Sequence, residues 1–160
     1  MKPQTPQYDL KVANLTDLED IKKITQAFFL SSIYKDKEYD TDKVNGLLIE
    51  YLFDPTDRVI ILGLLEGKPV ALFAAAVQQI LFNDSRIATE VLWWVDAEHR
   101  RSGLGAKLIE AFEYWAIEIA KAEYTQLTSL VDDSSDTLDK YYQRIGYQPV
   151  EKAYLKAWQQ

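Results

Sequence analysis

Apolar positions along the chain switch between strand and helix spacing, and each switch predicts an element. Tyr8 to Val12 alternates and reads as a first strand. Asn14-Leu15-Thr16-Asp17 then reads as a helix start. Thr16 or Asn14 can cap it, and Asp17, Glu19 and Asp20 suit the positive end of the helix dipole. Leu18, Ile21, Ile24 and Phe28 recur at helical spacing until the polar stretch Ser31 to Thr41 breaks the pattern. A second helix follows, with Val44, Leu47, Leu48, Tyr51 and Leu52 on one side, and Asp54-Pro55 ends it. Val59 to Leu65 and Val70 to Phe82 are apolar and partly β-branched, and Glu66-Gly67-Lys68-Pro69 between them is a hairpin turn. Asn83-Asp84-Ser85-Arg86 is another turn, and Ile87 to Val95 a third strand, which completes an antiparallel meander.

Helical spacing returns at Ser102, with Leu104, Leu108, Phe112, Trp115 and Ile119 in one stripe. Thr125 to Val131 is a further strand. It follows a crossover helix, so it should run parallel to the strand ending at Val95. Ser134 or Ser135 can cap a short helix to Ile145, which Gly146 ends, and Val150 to Leu155 reads as a last strand. The order β-α-α-β-β-β-α-β-α-β implies an α/β (α+β) sandwich around one mixed, mostly antiparallel sheet flanked by helices. It is not a doubly wound parallel fold.

Composition narrows the chemistry. The 160 residues suit one domain, expected over residues 8–160 behind a flexible N-terminus of residues 1–7. The chain has no cysteine and one histidine, His99, so thiolate and multi-histidine metal sites and a cysteine nucleophile are excluded. A net charge of −7 argues against nucleic-acid or anionic-membrane binding. The longest uncharged stretch, Pro69 to Asn83, is too short and too polar to span a bilayer. Residues 1–7 lack the apolar run of a secretory signal, so the expected location is the cytoplasm.

The segment richest in chemistry is Trp93-Trp94-Val95-Asp96-Ala97-Glu98-His99-Arg100-Arg101-Ser102-Gly103-Leu104-Gly105, a strand running through a polar glycine turn into an amphipathic helix. Unpaired N–H groups at a helix start favour an anion, glycines let the backbone approach it, and Arg100 and Arg101 add charge. A phosphate or pyrophosphate cradle follows. The Walker pattern is absent, and the dinucleotide fingerprint lacks its third glycine because position 108 is Leu. What remains is Arg-x-x-Gly-x-Gly over Arg100, Gly103 and Gly105. It arises by chance about once per thousand positions, so alone it is better explained as an ordinary helix-opening turn with exposed arginines. About 40 residues on, however, stands Tyr142-Gln143-Arg144-Ile145-Gly146-Tyr147.

The two motifs at this spacing, and the element order from Tyr8 to Leu155, resemble the GNAT N-acetyltransferases. Trp93 to Glu98 and Phe112 to Trp115 look most like members found in bacteriophage genomes. The resemblance implies transfer of an acetyl group from acetyl-CoA to a primary amine by direct attack, with no metal. It implies that Trp93, Trp94 and Val95 pair with the pantetheine arm, and that a backbone N–H near Trp94 or Val95 polarises the thioester carbonyl. Arg100, Arg101, Ser102, Gly103, Leu104 and Gly105 would hold the pyrophosphate, and Ser135 would stand where the family often has a cofactor-contacting Asn. Tyr142 matches the family's general acid for the sulfur, although it also lies on an apolar helix face with Leu138, Tyr141 and Ile145.

Glu90, a carboxylate inside an apolar strand, is the candidate base. The family's glutamate sits an even number of residues before the position of Val95, whereas Glu90 sits five before it. Strand alternation turns it to the wrong face unless a bulge intervenes. His99 is expected to be an exposed loop residue. Asp36, Glu38, Asp40 and Asp42 either attract a cationic acceptor or form a solvated loop. A small-molecule amine and a protein amine both stay open as acceptors. Dimers are common among the proteins it resembles, and Tyr154 to Trp158 offers apolar surface for a homodimer, but the sequence leaves the oligomeric state open. The alternative is a non-catalytic acyl-CoA-binding or protein-interaction module on the same fold.

Overall fold

The computed structural model describes residues 6–132 and 134–158; residues 1–5, which make up most of the N-terminal segment expected to be flexible, lie outside the described residues. The chain forms two compact units, the first running to Leu127 and the second starting at Thr128.

The first unit holds one five-stranded sheet in the order β1-β2-β3-β4-β5: β1 Tyr8–Val12, β2 Arg58–Leu65, β3 Lys68–Gln79, β4 Arg86–Val95 and β5 Tyr124–Gln126. Strands β1 to β4 are antiparallel, and β5 joins parallel to β4. A parallel partner needs a long crossover, which here contains α3, Leu104–Tyr114. The continuous apolar runs of β2 and β3 follow from cover on both faces. On one face Ile60, Leu62, Leu72 and Ala74 pack on Ile21 and Ile24 of α1, Leu18–Ser31, with Leu48, Tyr51 and Leu52 of α2, Thr41–Phe53, beside them. On the other face Phe73 meets Phe112 of α3 at 4.8 Å between ring centroids. Helix α3 lies so close that a Cβ on Gly63 would stand 2.8 Å from Leu104 Cδ1.

Local signals account for the boundaries. Asn14, not Thr16, caps the first helical segment: its Oδ1 accepts from Thr16 N–H at 2.9 Å, and Asp17 returns a carboxylate oxygen to Asn14 N–H at 2.9 Å. The helical stripe predicted to Ile119 continues past α3 as a π-helical turn, Trp115–Ile119, in which Ala120 N–H reaches back to Trp115 O at 2.9 Å. Trp115 is buried there and donates its indole N–H to Pro55 O at 3.0 Å. The strand expected over Thr125 to Val131 pairs only over Tyr124–Gln126.

The second unit contains α4, Ser135–Arg144, with Gly146 in the left-handed region just after it. The last strand expected at Val150 to Leu155 does not form. A strand needs a partner for its N–H and C=O groups, and the described residues of this unit include no other strand to supply one. Val150, Tyr154, Leu155 and Trp158 are accordingly exposed.

Candidate functional site

The site begins with an irregularity in β4. Leu92 pairs with Ala74 and Glu90 with Ala75, so Val91 is an extra residue bulged out of the ladder. The bulge resets the alternation. Glu90 opposite Ala75 now shares a face with Trp93 opposite Phe73 and Val95 opposite Ala71, which is the face covered by α3. The sequence count of five residues between Glu90 and Val95 therefore misstates its phase, and the bulge supplies the missing step. Glu90 is half-buried there.

The bulge coincides with the end of cover on the other edge. Strand β5 pairs with β4 only at Ile87, Ala88 and Thr89, whereas β4 continues six residues further, to Val95. Asp96 donates its N–H to Val70 O at 2.9 Å, so alternation turns the N–H and C=O of Trp94 toward β3 and those of Trp93 and Val95 toward the uncovered edge. The Val95 carbonyl bears this out, since it accepts Arg100 Nε at 2.9 Å on that side. An edge with main-chain groups turned outward can bind an extended amide-bearing arm as a strand would.

Past Val95, residues Ala97–His99 form a 3₁₀ turn, then Arg101 (φ 62) and Gly103 (φ 85) both adopt left-handed conformations before α3. Ser102 Oγ donates to His99 O at 2.6 Å, while the first helical bond of α3 is Lys107 N–H to Gly103 O at 3.2 Å. The N–H groups of Gly105 and Ala106 come before that bond, in the first turn, where a helix leaves its N–H groups for an outside acceptor. The two glycines do different work. A Cβ on Gly103 would meet nothing within 4 Å, so its role is the positive φ and an open approach to the helix end. A Cβ on Gly105 would stand 2.9 Å from the Trp93 ring, so its role is to seat α3 against β4. The turn can take a diphosphate: a helix N-terminus, an unobstructed approach at Gly103, and the exposed Arg101 beside it.

Arg100 does not reach forward as a free charge. It lies over Trp94, 5.1 Å from the ring centroid, as well as bonding Val95 O. His99 is not an exposed loop residue: it is half-buried, and its Nδ1 lies 3.1 Å from the hydroxyl of buried Tyr8, tying the turn to β1. The spacing of 91 residues hid that contact from the sequence. Sequence reading also passed over Thr89. Its Oγ1 is buried without a hydrogen-bond partner among the described residues, at the last rung shared with β5. A threonine in a strand carries no signal that separates this case from ordinary β propensity.

In the second unit Tyr142 is buried and donates its hydroxyl to Thr128 O at 3.0 Å. Ser135 does not cap α4: its Oγ donates to Asp132 O at 2.9 Å. Nor does Ser134, the residue before the helix: its N–H and Oγ donate to Asp132 in the turn that precedes α4, and these bonds hold the Asp132 carboxyl below the usual aspartate range.

The acidic loop before α2 divides by role. Asp40 is the helix cap, accepting Lys43 N–H at 2.9 Å, while Asp36, Glu38 and Asp42 are exposed. Tyr39 packs on Phe29 at 5.0 Å, and burial raises its phenol pKa. A cleft of about 240 Å³ lies on the α1 side, lined by Asp20, Lys23, Ile24, Ala27, Pro69 and Asp96. Its carboxylates are engaged, Asp20 with Lys23 at 3.0 Å and Asp96 with Trp94 Nε1 at 2.8 Å. Among the described residues no group of His, Asp and Glu is arranged to hold a metal ion, and no helix is long and apolar enough to cross a membrane.

The model of the Acetyltransferase (GNAT) family matches residues 18–147. Among solved structures, the aminoglycoside N-acetyltransferase AAC(6')-Iy in complex with CoA superposes with a TM-score of 0.74 at 15% identity, over 98% of this chain and 98% of that one. The aminoglycoside 6'-N-acetyltransferase AAC(6')-IG from Acinetobacter haemolyticus gives 0.71 at 17% identity, over 94% and 98%. The ribosomal-protein-alanine N-acetyltransferase from Brucella melitensis biovar Abortus 2308 gives 0.69 at 14%, over 95% and 100%. Comparison with curated proteins by sequence gives no match. A bulged and half-uncovered β4, a glycine turn opening α3 and a family match over most of the chain converge: the chain belongs to the GNAT acetyltransferase family, enzymes that move an acetyl group from acetyl-CoA to an amine.

Proposed function

We propose that this enzyme acetylates a primary amine on a small cationic molecule, with Glu90 as base and Tyr142 as acid. The observation that carries the reading is the Val91 bulge, which returns Glu90 to the face of Trp93 and Val95 where β5 no longer covers β4. Outward main-chain groups of Trp93 and Val95 would bind the acyl-thioester arm, and an N–H there would meet charge developing on the carbonyl oxygen. Residues Arg100 to Gly105 would hold the pyrophosphate, with the helix N–H groups as donors. Ser135 contributes through the turn it forms with Asp132.

The reaction forms a C–N bond from the amine to the acetyl carbon and breaks the C–S bond. Glu90 takes the proton the amine must lose, and the Tyr142 hydroxyl supplies one to the departing sulfur. The exposed carboxylates Asp36, Glu38 and Asp42 support a cationic acceptor, as do the aminoglycoside acetyltransferases among the structural neighbours. Residues 8–160 are read as a single acetyltransferase domain, because the family match runs from the first unit into the second. A cytoplasmic location follows from dependence on acetyl-CoA. The exposed Tyr154, Leu155 and Trp158 support a homodimer.

The test is a calorimetric titration with acetyl-CoA, followed by an amine panel of aminoglycosides, polyamines, amino acids and peptide N-termini. Micromolar binding, and turnover confined to the polycations, is the expected result. Turnover confined to peptide N-termini would replace the small molecule by a protein acceptor. A Tyr142→Phe enzyme that binds acetyl-CoA normally should lose turnover about 100-fold or more. Full turnover would remove Tyr142 as the acid.

A further inference from the structure

The turn that opens α3 is held mostly by its own residues. His99 donates its N–H to Asp96 O at 2.8 Å, Arg100 Nε donates to Val95 O at 2.9 Å, and Ser102 Oγ donates to His99 O at 2.6 Å. Leu104 N–H reaches Ser102 Oγ at 3.3 Å. Each of these bonds spans five residues or fewer. The His99 ring is the exception. Its Nδ1 lies 3.1 Å from the Tyr8 hydroxyl, a partner 91 residues away. The two rings also meet edge to face, with centroids 5.7 Å apart and planes at 80°. A hydroxyl both donates and accepts, so it matches Nδ1 in either tautomer.

Tyr8 is a firm anchor. It is 7% exposed, and it opens β1 on the rung with Leu65 of β2. His99 therefore fixes one end of the turn against the sheet, and Leu104, fully buried beside Gly63, fixes the other. Between them lie residues proposed to take the pyrophosphate, and two are left-handed: Arg101 at φ 62 and Gly103 at φ 85. Glycine adopts that conformation freely. Arginine keeps it only where surrounding bonds impose it. The bond from Ser102 Oγ to His99 O spans Arg101, and the His99 ring carries that constraint on to Tyr8. A turn closed by local bonds alone opens easily, because few contacts are lost when it does. A cradle already in shape binds more tightly than one that must be ordered first.

We propose that His99 and Tyr8 are positioning residues for the acetyl-CoA pyrophosphate: their side-chain bond holds the turn from Arg100 to Gly103 in shape before the cofactor arrives. The inference rests on the acetyltransferase reading of that turn. Neither side chain needs to touch the ligand. Both act through the backbone between His99 and Leu104, so their effect falls on cofactor affinity.

The experiment measures acetyl-CoA affinity by calorimetry, together with melting temperature, for wild type, Tyr8→Phe, His99→Phe and the double variant. Each phenylalanine keeps a ring and removes one side of the bond. Trp115→Phe is the control. It removes another ring's bond to a remote partner, Trp115 Nε1 to Pro55 O at 3.0 Å, past the far end of α3. Tyr8→Phe and His99→Phe are each expected to weaken acetyl-CoA binding about fivefold, the factor that one neutral hydrogen bond supplies. The double variant should bind no more weakly than the more affected single one, because the bond can be lost only once. Trp115→Phe should melt lower by at least as much and bind as wild type does. Wild-type affinity in Tyr8→Phe overturns the proposal. So do effects that multiply in the double variant, since the two residues would then act separately. A loss of affinity in Trp115→Phe that matches that of Tyr8→Phe also overturns it, because affinity would then follow stability alone. If His99→Phe does not fold, Tyr8→Phe against Trp115→Phe decides by the same comparison. A wild type that binds no acetyl-CoA would instead defeat the acetyltransferase reading before any variant is compared.

Discussion

From Ile87 to Thr89, β4 pairs with both β3 and β5; past Thr89 its ladder partner is β3. The closed half is pinned at its start by Asp57, Ala120 and Glu123. The open half carries the bulge, the half-buried carboxylate of Glu90, and the outward main-chain groups of Trp93 and Val95. One strand thus separates two tasks. Its first residues are held by redundant partners, while its last residues carry the groups proposed to serve the substrate. The closed half should therefore show in stability and geometry, and the open half in turnover and affinity.

The largest effect is expected from Glu90→Gln. The amide keeps the size and removes the base, so kcat should fall about 100- to 10,000-fold while acetyl-CoA affinity and melting temperature barely move. Steady-state kinetics on the amine found in the panel measures this. A drop of less than about tenfold would mean that proton removal lies elsewhere and that the bulge serves only the backbone.

Gly105→Val comes next, because it strikes where the open half meets α3. Its Cβ would enter the Trp93 ring at 2.9 Å, and such overpacking costs about 1–3 kcal/mol. Both melting temperature and acetyl-CoA affinity should fall, since Trp93 and the helix start move together. Arg100→Ala should be milder. It removes the bond to Val95 O and the contact over Trp94, the latter contributing about 1 kcal/mol. A rise in KM for acetyl-CoA of about three- to tenfold, at unchanged kcat, is expected.

How much of this was legible in the sequence depends on what each feature obeys. The element order and the crossover to β5 follow from periodicity and from the handedness of connections, and they emerged with correct types from Tyr8 to Arg144. Ladder lengths did not, because β5 stops at Gln126 although Leu127 to Val131 keep strand-like composition. The last strand failed for the same reason: alternation describes a segment, whereas a strand exists only with a partner. The glycine turn was visible as a motif, but not the division between Gly103, needed for its φ, and Gly105, needed for Trp93. The bulge left no mark at all. Nothing in Thr89-Glu90-Val91-Leu92 says that Val91 drops out of register, so the phase of Glu90 could be posed as a question but not answered. Sequence groups Asp40 with an acidic cluster, whereas its bond to Lys43 N–H makes it the cap of α2.

Thr89 gives the smallest effect and the sharpest test of the boundary between the halves. Its hydroxyl is buried without a partner among the described residues, on the last rung that β4 shares with β5. An unmet buried hydroxyl costs about 1–3 kcal/mol, and valine matches threonine in shape without that group. If Thr89 belongs wholly to the closed half, Thr89→Val should be more stable, by about 1 kcal/mol or a rise of about 2–4 °C in melting temperature, with kinetics unchanged. If it serves the open half, the same variant should still melt higher yet lose affinity or turnover, because the hydroxyl would then be kept for a substrate group. A stabilised but impaired Thr89→Val would move the boundary between the two tasks from Glu90 back to Thr89, whereas a destabilised variant would show that the hydroxyl finds a partner in solution and that the closed half extends through this residue.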